Sequence, residues 1–116
     1  MLLPEVLSVQ HRGELSVSLQ LHLPAGLHYF PNHFADFPIL PGVVQLNWAI
    51  HYGHEHLPVT GSFTMMENIK FQSVALPDTR MELVLEWRAE KNHLEFIFAD
   101  GEKKYSSGRI VFGGTA

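Results

Sequence analysis

The chain contains no cysteine. That absence excludes a disulfide framework and thiolate chemistry, and it fits a reducing compartment. Charge is scarce too: 17% of the 116 residues are charged, and the formal net charge is -4. Phosphate recognition wants clustered Lys and Arg, so nucleic acid is not an expected partner. No apolar run approaches the ~18 residues of a membrane span. The opening Met-Leu-Leu-Pro-Glu-Val-Leu lacks the basic region and long apolar stretch of a signal peptide. The expectation is a soluble cytoplasmic protein. Repeats, linkers and low-complexity segments are absent as well.

What is present is ordinarily globular. The chain is 46% hydrophobic, which suits one domain over residues 1–116 with one core. At this size oligomerisation would add useful burial. Residues 14–23 alternate strictly: Leu15, Val17, Leu19, Leu21 and Leu23 against Glu14, Ser16, Ser18, Gln20 and His22. That period of two predicts a strand with one buried face. Arg12-Gly13-Glu14 reads as a turn from a shorter strand near residues 5–11.

The period then changes. From Pro41 to about Tyr52 the apolar residues Val43, Val44, Leu46, Trp48, Ala49, Ile50 and Tyr52 fall on most sides of a helix. A helix of that kind is buried. Gly53 and Pro58 predict its end. Strands are expected again over 66–73, 81–90 (Leu83, Leu85, Trp87 and Ala89 inward), through Leu94, Phe96 and Phe98, and over 103–112. Turns fall at Leu76-Pro77-Asp78-Thr79 and at Asp100-Gly101. The expected class is α+β, an antiparallel sheet wrapped around one long apolar helix.

The stretch from Tyr29 to Ile50 carries the chemistry. It places His33 in a loop with Phe30, Phe34 and Phe37, then opens a helix on Pro41-Gly42. Histidine moves protons near neutral pH. A helix N-terminus offers free backbone N–H groups to a carbonyl oxygen or oxyanion. A lone histidine among apolar residues is ordinarily structural, and Gly42 alone is ordinarily a spacer. Together they point to acid–base chemistry on a carbonyl compound with an apolar tail.

These residues resemble the hotdog-fold 3-hydroxyacyl-ACP dehydratases. The likeness rests on His33-Phe34, Pro38 and Pro41-Gly42-Val43-Val44, and downstream on Asn68-Ile69-Lys70-Phe71, Val74 and Leu76-Pro77-Asp78. Pro38-Ile39-Leu40-Pro41-Gly42-Val43-Val44-Gln45-Leu46 followed by Trp48-Ala49-Ile50 is similar to the aryl-polyene cluster subgroup. The resemblance implies removal of water from a 3-hydroxyacyl chain on a phosphopantetheine arm. It implies an acyl carrier protein as partner, a homodimer or hotdog heterodimer, and no metal or redox cofactor. His33 and residue 47 would be catalytic. Phe34, Phe37, Pro41, Gly42 and Val43 would bind substrate.

Two positions depart from the family pattern. Asn32 precedes the histidine where glycine is usual, and Asn tolerates left-handed backbone better than most residues. Asn47 stands where the family carries Glu or Asp. An amide donates a hydrogen bond but transfers no proton. Asn47 therefore reads either as a residual catalytic group or as a polar residue holding a loop inside the core. The rival functions are a non-catalytic acyl-ACP-binding or scaffold subunit and an acyl thioesterase. Asp36 is the one acid in the motif loop, and nothing in the sequence aims it at a thioester. His51, His54 and His56 flank Glu55 at spacings seen in metal sites, but the expectation there is no metal. Lys70, Arg80, Arg88, Lys103, Lys104 and Arg109 are candidates for contacting an acidic carrier, against a solvated strand face.

Overall fold

The computed structural model describes residues 2–27 and 39–113. In chain order the elements are β1 (Glu5–His11), β2 (Ser16–His22), α1 (Gly42–His56), β3 (Ser62–Phe71), β4 (Arg80–Arg88), β5 (His93–Asp100) and β6 (Lys103–Gly113). The strands form one six-stranded sheet in the order β1-β2-β4-β5-β6-β3. Every neighbouring pair is antiparallel.

Alternation explains the core directly. Leu19 stands opposite Leu83, which stands opposite Phe98, and Val17 likewise lines up with Leu85 and Phe96. Trp87, Leu94 and Ile110 make a third row. All of these side chains are buried. Cross-strand rows of this kind are the unit of sheet stabilisation, and each fully buried side chain contributes roughly 1.5–3 kcal/mol. On the opposite face Ser18 and Gln20 both donate to Glu82.

Two expectations of the alternation fail at strand ends. Leu15 lies before β2 and is exposed. Its carbonyl accepts from Trp87 N–H, but its side chain falls at the margin of the sheet. Ala89 leaves β4 for a 3-10 turn, Ala89–Lys91, and is exposed. That turn closes on Asn92 in the left-handed region, φ 52°.

The helix packs on the inner face. Val44, Gln45, Leu46, Trp48, Ala49, Tyr52 and Gly53 are buried. Val43, Asn47, His51, His54 and Glu55 are exposed. So α1 has one open side, and it is not surrounded as its composition suggests. It also does not stop at Gly53 but runs to His56, where Leu57 N–H reaches back to Gly53 C=O. Gly53 serves packing instead. A Cβ there would sit 2.5 Å from Leu94 Cδ2. Trp48 Nε1 donates to Leu2 C=O and so ties the N-terminal segment to the helix. A sheet wrapped around one long helix is the hotdog arrangement.

Two outcomes test this packing. Gly53→Ala gains helix propensity of ~1 kcal/mol but must displace a buried Leu94 methyl, and overpacking typically costs ~1–3 kcal/mol. We expect Gly53→Ala to lower the denaturant midpoint in the wild type and to raise it in a Leu94→Ala background. Tyr52 supplies the second. Burial, helped by the Glu55 charge, pushes its hydroxyl from 10.0 up to about 12. The folded pKa lies above the unfolded one. Its contribution is therefore intact below pH 10 and is lost as pH rises through about 12. Unfolding curves of Tyr52→Phe should fall less steeply than wild type across that window.

Candidate active site

The helix entrance is built by the connection between β3 and β4. Leu40 N–H donates to Ala75 C=O at 2.9 Å, and Gln72 N–H to Tyr105 C=O at 3.0 Å. Both Leu40 and Ala75 are buried. This docks the incoming segment so that Pro41 becomes the N-cap, in extended conformation with φ -60° and ψ 143°. Proline cannot cap with a side chain, and the first turn holds no acidic residue. Val44 N–H turns back to Pro41 C=O. Among the described residues, nothing accepts from Gly42 or Val43 N–H, as the first turn of a helix leaves its leading N–H groups without an intrahelical partner.

Glycine at 42 has a packing reason. The Phe71 ring, at the end of β3, lies against it: a Cβ on Gly42 would meet Phe71 Cε1 at 2.6 Å and Cζ at 2.7 Å. Phe71 is nevertheless 54% exposed, and Val43, Val74 and Leu76 are exposed beside the same entrance. Asn47 follows Val43 by one helical turn, so the two share the open side of α1. Asn47 is exposed and makes no hydrogen bond with the described residues. Under the first turn, on the buried side, Ser106 Oγ donates to Gln45 Oε1 at 2.6 Å.

Of the residues singled out from the sequence, Pro41, Gly42, Val43 and Asn47 therefore come together. His33, Phe34 and Phe37 lie outside the described residues, as do Phe30 and Asp36. The fold adds Phe71, Gln45 and Ser106 to the helix entrance. The available signal was an uncharged polar residue on the sheet-facing side of an apolar helix, which requires a buried partner.

The other candidates disperse. His51 and His56 each face Glu55, at 3.3 and 3.2 Å, whereas His54 packs edge-on against Phe112. Among the described residues no group of three or more His, Asp or Glu could hold a metal ion. Arg88 lies near Glu86 and Glu95, Arg109 near Glu67, and Lys103 over the Tyr105 ring. Burial, then the Asp100 charge, pushes the Tyr105 hydroxyl up against a partial offset from a hydrogen bond with Thr79. A depression of about 480 Å³ opens between β3, β5 and β6, lined by Asn68, Lys70, Glu95, Ser107 and Arg109 among others. No helix residue lines it, so it is separate from the entrance. No helix among the described residues is long and apolar enough to cross a membrane.

Known proteins share this arrangement. A chain of the dehydratase heterocomplex ApeI:P from Xenorhabdus doucetiae superposes with a TM-score of 0.90 at 30% identity, over 96% of this chain and 98% of that one. An uncharacterized protein from Erwinia carotovora subsp. atroseptica gives 0.80 at 37% identity, over 96% of each chain. An uncharacterized thioester dehydrase from Halalkalibacterium halodurans is 24% identical over 112 residues, 85% of this chain and 72% of that protein. The family model for ApeI dehydratase matches residues 9–109. With a hotdog sheet, an uncapped Pro-Gly helix entrance and a family match along most of its length, the chain belongs to the ApeI-like dehydratase family.

Proposed function

We propose that the chain dehydrates 3-hydroxyacyl thioesters carried on an acyl carrier protein, using an active site at the entrance of α1. The observation that carries this reading is the side of the helix that bears Gly42 and Val43, whose N–H groups have no acceptor among the described residues, and the exposed Asn47 one turn further on. The thioester carbonyl would accept from Gly42 N–H, which acidifies the C2 proton as negative charge develops on oxygen. His33 takes that proton. The C3–O bond breaks as the C2–C3 double bond forms, and the hydroxyl leaves as water after receiving one proton. Asn47 can orient the hydroxyl but has no proton to give. The proton therefore returns from the His33 imidazolium, and one side chain serves both steps.

A second reading has a specific observation behind it. The ApeI:P chain that resembles this one comes from a heterocomplex, and Asn47 replaces a proton donor. The chain would then be the subunit that completes a hotdog heterodimer while its partner supplies the turnover.

Water loss from a 3-hydroxyacyl carrier protein separates the two. On the dehydratase reading the purified chain turns over and His33→Ala lowers the rate by at least ~10²-fold, the usual scale of general acid–base catalysis. On the subunit reading the chain alone is silent and gains activity only with a hotdog partner, His33→Ala in this chain leaving that activity unchanged. The pH profile gives an independent check. With one group taking and returning the proton, kcat/KM should rise with pH through a single ionisation and then level off. Asn47→Asp adds a second ionisable group, which should turn the profile into a bell and raise the maximum. A bell-shaped wild-type profile would show a second titrating group and remove the single-histidine mechanism.

A further inference from the structure

The buried Gln45–Ser106 pair has no part in the chemistry above, and the apolar core around it gives no reason for two polar side chains. Gln45 is 2% exposed and Ser106 fully buried. Their hydrogen bond, 2.6 Å from Ser106 Oγ to Gln45 Oε1, is the one fully buried side-chain bond among the described residues. Its place in the fold is specific. Ser106 on β6 stands directly opposite Phe71 on β3. In an antiparallel pair such partners project from the same face of the sheet. Phe71 packs on Gly42, and Ser106 bonds Gln45. Gly42 and Gln45 are three residues apart and so lie on one face of the first turn. A single cross-strand pair thus holds the helix entrance at two points.

We propose that Gln45 and Ser106 are positioning residues that set the rotation and height of the first turn of α1, and with it the direction of the Gly42 and Val43 N–H groups. This inference rests on the proposed active site. Burial of Val44, Leu46 and Ala49 draws the helix onto the sheet, but apolar attraction is non-directional and leaves small rotations nearly free. A hydrogen bond is directional, weakening steeply when misaligned. Phe71 alone does not supply the missing direction, because its flat ring touches a residue without a side chain. Misplacing a reactive group by ~1 Å can cost ~10²-fold in rate.

The test separates positioning from plain stability. Ser106→Ala leaves the Gln45 amide buried without its partner, so it should lower both stability and rate. The double variant Gln45→Met, Ser106→Ala removes both polar groups, keeps the volume close and leaves nothing unsatisfied. We expect it to melt at or above the wild-type temperature while kcat falls ~10- to 100-fold with KM changed less than about threefold. Its Gly42 and Val43 amide cross-peaks should shift or broaden in 15N–1H spectra, while those of β2 and β4 stay in place. A double variant with wild-type kcat and unchanged Gly42 and Val43 peaks would show that the pair is merely structural. The spectra also keep the two proposals apart. If the wild type shows no dehydration, the functional reading fails, and the amide peaks still decide whether the pair orients the entrance.

Discussion

Everything in this fold depends on one side of α1 being pressed into the inner face of the sheet. The rows through Leu19, Leu83 and Phe98 and through Val17, Leu85 and Phe96 form the floor. Trp48, Ala49, Tyr52 and Gly53 form the facing layer. A single helix can cover only part of a six-stranded sheet. The cost appears at the edges, where β1 is exposed along its whole length and β3 along most of it. It appears also on the helix, whose far side carries Val43, Asn47, His51 and His54 into the open. Packing demands thus divide the helix into a side that holds the fold and a side free to carry chemistry.

Two glycines let the helix come this close, and they do so at opposite ends. Gly53 admits a Leu94 methyl, and Gly42 admits the Phe71 ring. The two contacts differ in consequence. Leu94 is sealed in the core, so Gly53 acts on stability alone. Phe71 keeps 54% of its surface exposed, so its ring supports the helix entrance without being enclosed by the core. An alanine at 42 would press on both at once.

Much of this was legible in the sequence because its signals were periodic. A strict period of two, from Val17 to Leu23 and from Leu83 to Trp87, has one physical solution: an inward row. Pro41-Gly42 likewise announces a helix entrance. What could not be read were residues whose role is set by a distant neighbour. Gly53 looks like a helix stop, and locally it is indistinguishable from one. Only the Leu94 methyl above it makes it a packing residue. Ala89 continues an alternation that Asn92 cuts off by adopting left-handed backbone. Gln45 is one polar letter in an apolar stretch until Ser106, 61 residues away, gives it a partner. Asn47 was recognisable as a departure, but its exposure depends on which side of α1 the sheet leaves bare.

That exposure decides what an amide at 47 means. Had Asn47 been buried, it would have needed a protein partner and could have been dismissed as structural. Its side chain is exposed and has no hydrogen bond to a described residue, so on the proposed mechanism its identity answers to the substrate. A carboxylate there would bring a second proton carrier, and when ionised a negative charge, to the open side of the helix. An amide forgoes proton transfer altogether and keeps its donor and acceptor at every pH. The helix dipole then acts on the substrate carbonyl undiminished by a neighbouring negative charge. On the proposed mechanism the trade is between a second proton carrier and a stronger hold on the developing oxyanion, and it throws the whole proton balance onto His33.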